Sequence, residues 1–157
     1  MNASHEKFMR LALVEAQKAG QTGEVPIGAI LVAEDGTVLS SAHNRTIDLA
    51  DPTAHAEILA LREAALKINN YRLLNTTLYV TVEPCIMCMG AIVHARISGV
   101  VFGADDPKWG AAGSLYNFAE DDRLNHRVGI ISGVCEAECR GLMQAFFRAK
   151  RGKCLKS

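Results

Sequence analysis

The sequence predicts an α/β fold: a three-layer α/β/α sandwich around a central mixed sheet of about five strands. Short runs rich in apolar and β-branched residues, IGAILVA, VLSSA, TLYVTV, VVFGA and VGIIS, are interleaved with segments of helical length and pattern. The first two runs are joined by a tight polar turn and form a hairpin, whereas the later ones alternate with helices, so the sheet is mixed and covered on both faces. A chain of 157 residues that is 49% hydrophobic and 22% charged can bury one core. With no repeat, linker or low-complexity stretch, residues 1–157 read as a single domain.

Each element follows from local chemistry. Ser4 is a candidate cap for a first helix, in which Phe8, Leu11, Ala12, Leu13 and Val14 supply a broad apolar face, ending near Gly20. Residues 27–33 and 38–42 are the hairpin strands, because Asp35-Gly36 tolerates the positive φ of a tight turn. Residues 44–52 are polar and loop-like, and Thr53 is the expected N-cap of a helix reaching about Lys67. Strand 77–82 follows. Pro84 suits the first turn of the next helix, to about Ala95, since its missing N–H costs nothing there. Strand 100–104 leads into the glycine-rich loop DDPKWGAAGS, then a weaker fifth strand at 128–132 and a last helix from 136 to about 150.

The formal net charge of zero excludes an overall pull toward polyanions but conceals an uneven distribution. Residues 1–138 hold 11 basic groups against 17 acidic, a formal −6, while the segment from about 139 carries Arg140, Arg148, Lys150, Arg151, Lys153 and Lys156 with no acidic neighbour. That patch can attract phosphates, although for a tail alone a solvated helix end and frayed tail is the better description. No run of about 18 apolar residues is present for a membrane span, and the N-terminus lacks a signal-peptide core, so a cytoplasmic protein is expected. Five cysteines, two of them in Cys85-Ile-Met-Cys88, favour metal or redox chemistry over a disulfide framework.

Cys85 and Cys88 are three apart, project to one side of a helix, and gain thiolate character at its N-terminus. His55 opens another helix and is the candidate third ligand if the sheet sets the two helix starts side by side. Three ligands leave a fourth position, where zinc holds a water whose pKa falls toward about 7. Glu57 is then the candidate proton carrier. Residues two apart point about 200° apart on a regular helix, so His55 and Glu57 share a site only in a looser first turn. A redox pair would leave His55 and Glu57 without a role, and a structural zinc site would require a fourth Cys or His. Cys135 and Cys139 read as core or surface thiols. Cys154 reads as incidental, and His5, His43, His94 and His126 lack a second ligand at useful spacing.

His55-Ala56-Glu57 followed by Pro84-Cys85-Ile86-Met87-Cys88 resembles the signature of zinc-dependent nucleobase deaminases, the cytidine/deoxycytidylate deaminase superfamily. Further stretches, GEVPIGAI (23–30), AHNR (42–45), DPTAHAE (51–57), LYVTVEPCIMC (78–88), GADDPKWGAAGSL (103–115), LNHRV (124–128) and QAFFRAKR (144–151), resemble its branch of bacterial tRNA adenosine deaminases. The resemblance implies a cytidine deaminase-like sandwich and hydrolytic conversion of adenosine to inosine at the anticodon wobble position. It implies one Zn2+ per subunit on His55, Cys85 and Cys88, with Glu57 as proton shuttle. It implies a tRNA anticodon stem-loop as partner and a homodimer, with neither DNA nor membrane.

The same resemblance assigns Asn44 to the target base with the Ala56 amide near it, Asp106 to the ribose, and Phe146, Phe147 and Arg148 to RNA contact. Without the resemblance, Asn44 and Asp106 read as turn residues, and by spacing Phe146, Phe147 and Arg148 read as core and solvated face. Trp109 departs from the smaller residue expected in its loop. The neutral net charge predicts modest salt-dependent affinity for non-cognate RNA, so loop shape has to select the substrate. The rival readings are a deaminase of free guanine or cytosine type bases or nucleosides, and a non-catalytic zinc-containing RNA-binding subunit.

Overall fold

A computed structural model describes residues 3–156, with side chains described through Lys153; the Cys154 and Lys156 side chains of the basic segment lie outside the described residues. The elements run α1 (Ala3–Gln21), β1 (Gly28–Ala33), β2 (Val38–His43), α2 (Ala56–Ile68), β3 (Thr76–Val82), α3 (Ile86–His94), β4 (Gly99–Ala104), β5 (Gly129–Ile131) and α4 (Glu136–Lys156). The five strands form one sheet in the order β2-β1-β3-β4-β5. It is mixed: β1 pairs antiparallel with both β2 and β3, and β3, β4 and β5 run parallel.

Alternation along the strands builds the layers. Ala29, Leu31, Leu78, Val80, Val100 and Phe102 face a core closed by α2 and α3, through Ala60, Leu61, Met89 and Ile92. Their neighbours Ile30, Val32, Tyr79 and Val101 face the opposite core with Phe8, Met9 and Ala12 of α1 and Cys139 of α4. The hairpin turn closes as its sequence requires: Gly36 has φ +90°, and the Gly36 and Ala33 amides donate to Ala33 O and Thr37 O. A bulge interrupts the hairpin register between Leu31 and Val32.

Four boundaries differ from expectation. Ser4 lies inside α1, which is already helical at Ala3. α2 starts at Ala56 rather than after Thr53, whose amide and hydroxyl both donate to Asp51 Oδ1 at 2.8 and 2.7 Å in a local turn. α3 starts at Ile86, which places Pro84 just outside it. α4 continues to Lys156, so the basic segment is helical rather than frayed.

The strand directions gather loops at one end of the sheet. β3 and β4 are parallel in register from Thr77↔Gly99 to Val82↔Ala104, so the turns after Val82 and Ala104 emerge together. β1 is antiparallel to β3, and His43 pairs with Gly28, so the start of β1 and the end of β2 lie at that same end. The carboxyl ends of parallel strands in such sheets are where ligands bind.

α1 lies so close to β1 that a Cβ on Gly28 would fall 2.0 Å from Ala12 O and 2.6 Å from Ala16 N. Gly28→Ala is therefore expected to lower stability by at least about 2 kcal/mol, as overpacking against backbone does. Chemical denaturation of both proteins checks it, and an unchanged midpoint would contradict this packing.

Candidate active site

His55 and Cys85 occupy equivalent places on two helices. Each is an N-cap in extended conformation, with φ −73° and ψ 153° at His55 and φ −77° and ψ 178° at Cys85. Neither side chain caps its own helix. The His55 Nδ1 atom instead faces both sulfurs, 3.6 Å from Cys85 Sγ and 3.5 Å from Cys88 Sγ. All three ligand atoms lie within 4.8 Å of one another. Tetrahedral zinc with the usual Zn–N and Zn–S bond lengths separates nitrogen from sulfur by about 3.6 Å, so the donor set and its spacing fit zinc. Among the described residues this His-Cys-Cys group is the one assembled for a metal, and Cys135 and Cys139 do not join it.

The extended N-cap resolves the angular problem in the sequence. His55 lies before the first helical turn and Glu57 within it, so the two side chains are not bound by the 100° step of a regular helix. Because His55 does not cap, the orphan amide of Ala56 needs another acceptor, and Asn44 Oδ1 takes it at 2.8 Å from the end of β2. This ties β2 to the start of α2. The Ala56 amide, expected at the base, is thereby committed within the protein.

The protonation states follow from crowding. Hydrogen bonding from the Cys88 thiol, with help from His55, pulls Cys85 down to about 4 despite burial. Its bond to Cys85, together with burial and nearby negative charge, pushes the Cys88 thiol up. The bond to Cys85 raises the His55 ring. One thiolate therefore forms readily, and the second requires a cation, which a coordinating metal supplies. Glu57 is 3% exposed, burial raises its carboxyl to about 7, and its Oε1 has no hydrogen-bond partner in the protein. Buried carboxylate oxygens are normally paired, so an orphan beside a metal-ligand cluster marks a place for chemistry.

The other predicted residues fall into two groups. Asn44 is buried and Asp106 half-buried at the loop end of the sheet. Asp106 Oδ1 accepts the Lys108 and Trp109 amides, which makes it the turn residue its type suggests. Phe146, Phe147 and Arg148 lie on α4, with Phe147 and Arg148 exposed and Phe146 edge-on to Phe147, so this pair is not core. The remaining histidines bond elsewhere where a partner is described: His5 to Tyr79, His43 to Glu15 and His126 to the Ile97 carbonyl.

Sequence reasoning missed Glu24 and Glu83, which are 1% and 3% exposed and hold the loops on either side of the ligand cluster. The available signal was a carboxylate placed between an apolar strand and the Pro84-Cys85 pair, and another between Gly23 and Val25 before β1.

Cys88→Ala is expected to weaken zinc binding by more than the roughly 10- to 100-fold that loss of a supporting residue costs. Metal analysis after dialysis against a weak chelator reads it, and stoichiometric zinc in the variant would exclude this site. Asn44→Ala is expected to lower stability by about 1 kcal/mol through loss of the cap on α2, measured by urea titration.

Comparisons with known proteins agree with this geometry. Residues 2–104 match the cytidine and deoxycytidylate deaminase zinc-binding region. A tRNA-specific adenosine deaminase of Haemophilus influenzae is 51% identical over 93% of this chain and 84% of its own length. Its counterpart in Bacillus subtilis is 48% identical over 94% of this chain and 91% of its own length. A solved structure from a study of A-to-I editing at the wobble position of transfer RNA superposes with a TM-score of 0.84 at 47% identity, covering 87% of this chain and 98% of that one. A zinc-ligand cluster at two helix starts, this fold, and identity over nearly the whole chain lead to one conclusion: the protein belongs to the cytidine and deoxycytidylate deaminase zinc-binding family and, within it, to the tRNA-specific adenosine deaminases.

Proposed function

We propose that the protein hydrolyses adenosine to inosine at the wobble position of a tRNA anticodon, with release of ammonia. On this reading it acts as a single-domain subunit of a cytoplasmic homodimer with one zinc ion per subunit. The observation that carries the chemistry is the unpartnered Oε1 of Glu57, buried next to the His55, Cys85 and Cys88 cluster. Identity of 51% and 48% to tRNA-specific adenosine deaminases supports the substrate.

When bound, zinc supplies a Lewis acid that brings the pKa of a water toward about 7. Burial raises the Glu57 carboxyl to about 7, so this side chain can both take up and release a proton near neutral pH. Glu57 would take a proton from a water placed against C6 of a flipped adenine and would return protons to the ring nitrogen and the departing amine. The C–O bond would form first, with the ring nitrogen protonated, and the exocyclic C–N bond would then break as the amine is protonated, so one water is consumed and one ammonia leaves.

Asn44 is assigned to the base. Its carbonyl oxygen must be the atom facing the Ala56 N–H, which leaves the two Nδ2 protons for acceptors on a purine edge. Ala56 contributes through that bond. Asp106 uses Oδ1 within its turn, and Oδ2 is assigned to the ribose 2′-OH. Phe147 and Arg148, exposed on α4, are assigned to stacking and phosphate contact.

The test offers the purified protein an anticodon stem-loop with adenosine at the wobble position and, separately, free adenosine, cytosine and guanine. Inosine in the RNA with stoichiometric ammonia is expected. Deamination of a free base with the RNA left unchanged would reject the substrate. Glu57→Gln should retain zinc and lose turnover by at least about 100-fold, the low end of general acid–base contributions. Full turnover in that variant would remove Glu57 from the mechanism.

A further inference from the structure

We propose that Glu83 is a positioning residue for the RNA substrate, a buried clamp that fixes the loop 105–116 against the zinc-ligand end of the sheet. The proposal rests on the RNA deaminase reading above and assigns Glu83 a part in it that differs from that of Glu57. Glu83 is the first residue after β3, 3% exposed and two positions before Cys85. Its Oε1 accepts the Asp106 amide at 3.1 Å and the Ser114 hydroxyl, and its Oε2 accepts the Ala112 and Ser114 amides at 3.0 Å each. A carboxylate has about four lone-pair sites, and all are engaged. The contrast with Glu57 decides the roles: Glu57 keeps an unpartnered oxygen for a proton, whereas Glu83 has none left for chemistry.

The rest of the loop is shaped around this carboxylate. A Cβ on Gly110 would lie 2.4 Å from Glu83 Cδ, so only glycine lets the loop pass there. Gly110 also bridges to Cys85, and the Ala111 amide donates to Pro84 O at 2.8 Å. The segment carrying Asp106 and the 65% exposed Trp109 is thus secured to the strand end that carries a metal ligand. Glu24 does the same across the site: its carboxylate accepts the Thr46 hydroxyl and the Ile47 and Asp48 amides, holding the loop that follows Asn44. Two hydrogen-bonded carboxylates flank the ligand cluster, so the loops meet RNA already ordered, which lowers the entropy lost on binding.

Glu83→Gln is the discriminating variant because it keeps the shape but turns one oxygen into a donor facing two other donors. Measured together are zinc per chain, amide hydrogen exchange of the loop, and steady-state kinetics on the anticodon stem-loop. Expected are one zinc per chain, faster exchange at Asp106, Ala112 and Ser114, and a KM raised about 10-fold or more with kcat within about threefold. Ser114→Ala removes only one hydroxyl donor and should show the same pattern at smaller amplitude if Glu83→Gln does not fold. Loss of zinc in either variant would make Glu83 a support of the metal centre instead and overturn the proposal. Unchanged exchange, or freed exchange with unchanged KM, would also overturn it. If the wild-type protein leaves the stem-loop unedited, the substrate reading fails separately, and the same KM comparison is made with the base that is turned over.

Discussion

Two helices that begin at one end of the sheet must bring an imidazole nitrogen and two sulfurs into one coordination sphere, and much of the surrounding structure follows from that demand. His55 and Cys85 sit where a helix would normally place a capping side chain, yet both direct that side chain toward the ligand cluster. The helix amides still need acceptors. For α2 the acceptor is Asn44, which joins β2 to the metal centre and orients a side-chain amide beside it. The same helix N-termini contribute partial positive charge, which favours the thiolates a metal requires.

Three buried glutamates surround this centre, and their hydrogen bonds separate their tasks. A carboxylate removed from water is costly unless its oxygens are satisfied. Glu24 and Glu83 are satisfied by loop amides and hydroxyls, so their cost is offset by hydrogen bonds that also order the polypeptide around the ligand cluster. Glu57 is not satisfied at Oε1, and its carboxyl rises to about 7 in consequence of burial. Residues of one type, similarly buried, thus divide by the supply of donors alone: two are saturated by loops, and one keeps an oxygen open for the proton transfer proposed above.

On the proposed reading, charge and shape divide the work of meeting RNA in a comparable way. The body of the chain carries a formal −6, which repels a polyanion, while exposed Arg148, Lys150, Arg151 and Lys153 lie on the continuous helix α4. A rigid helix holds those cations in fixed register, where a frayed tail would hold them in none. On the proposed reading, attraction limited to one helix would leave selection of the substrate to the ordered loops.

The sequence by itself determined the layered fold, the hairpin and the His55, Cys85 and Cys88 ligand set, because strand alternation, the Asp35-Gly36 turn and the HAE and PCxxC patterns are local in the chain. The helix starts were only partly legible. Thr53 has the chemistry of an N-cap, but Asp51 engages it first and Asn44, nine residues before it, provides the acceptor instead. Phe147 read as core by its spacing, yet α4 presents it to solvent. Glu83 was illegible because its four donors come from residues 23 to 31 positions away, and a glutamate at a strand end looks solvated until the loop folds over it. Local sequence encodes which groups are available. Which oxygen is satisfied and which left open depends on contacts between distant segments, and the tertiary structure alone decides that.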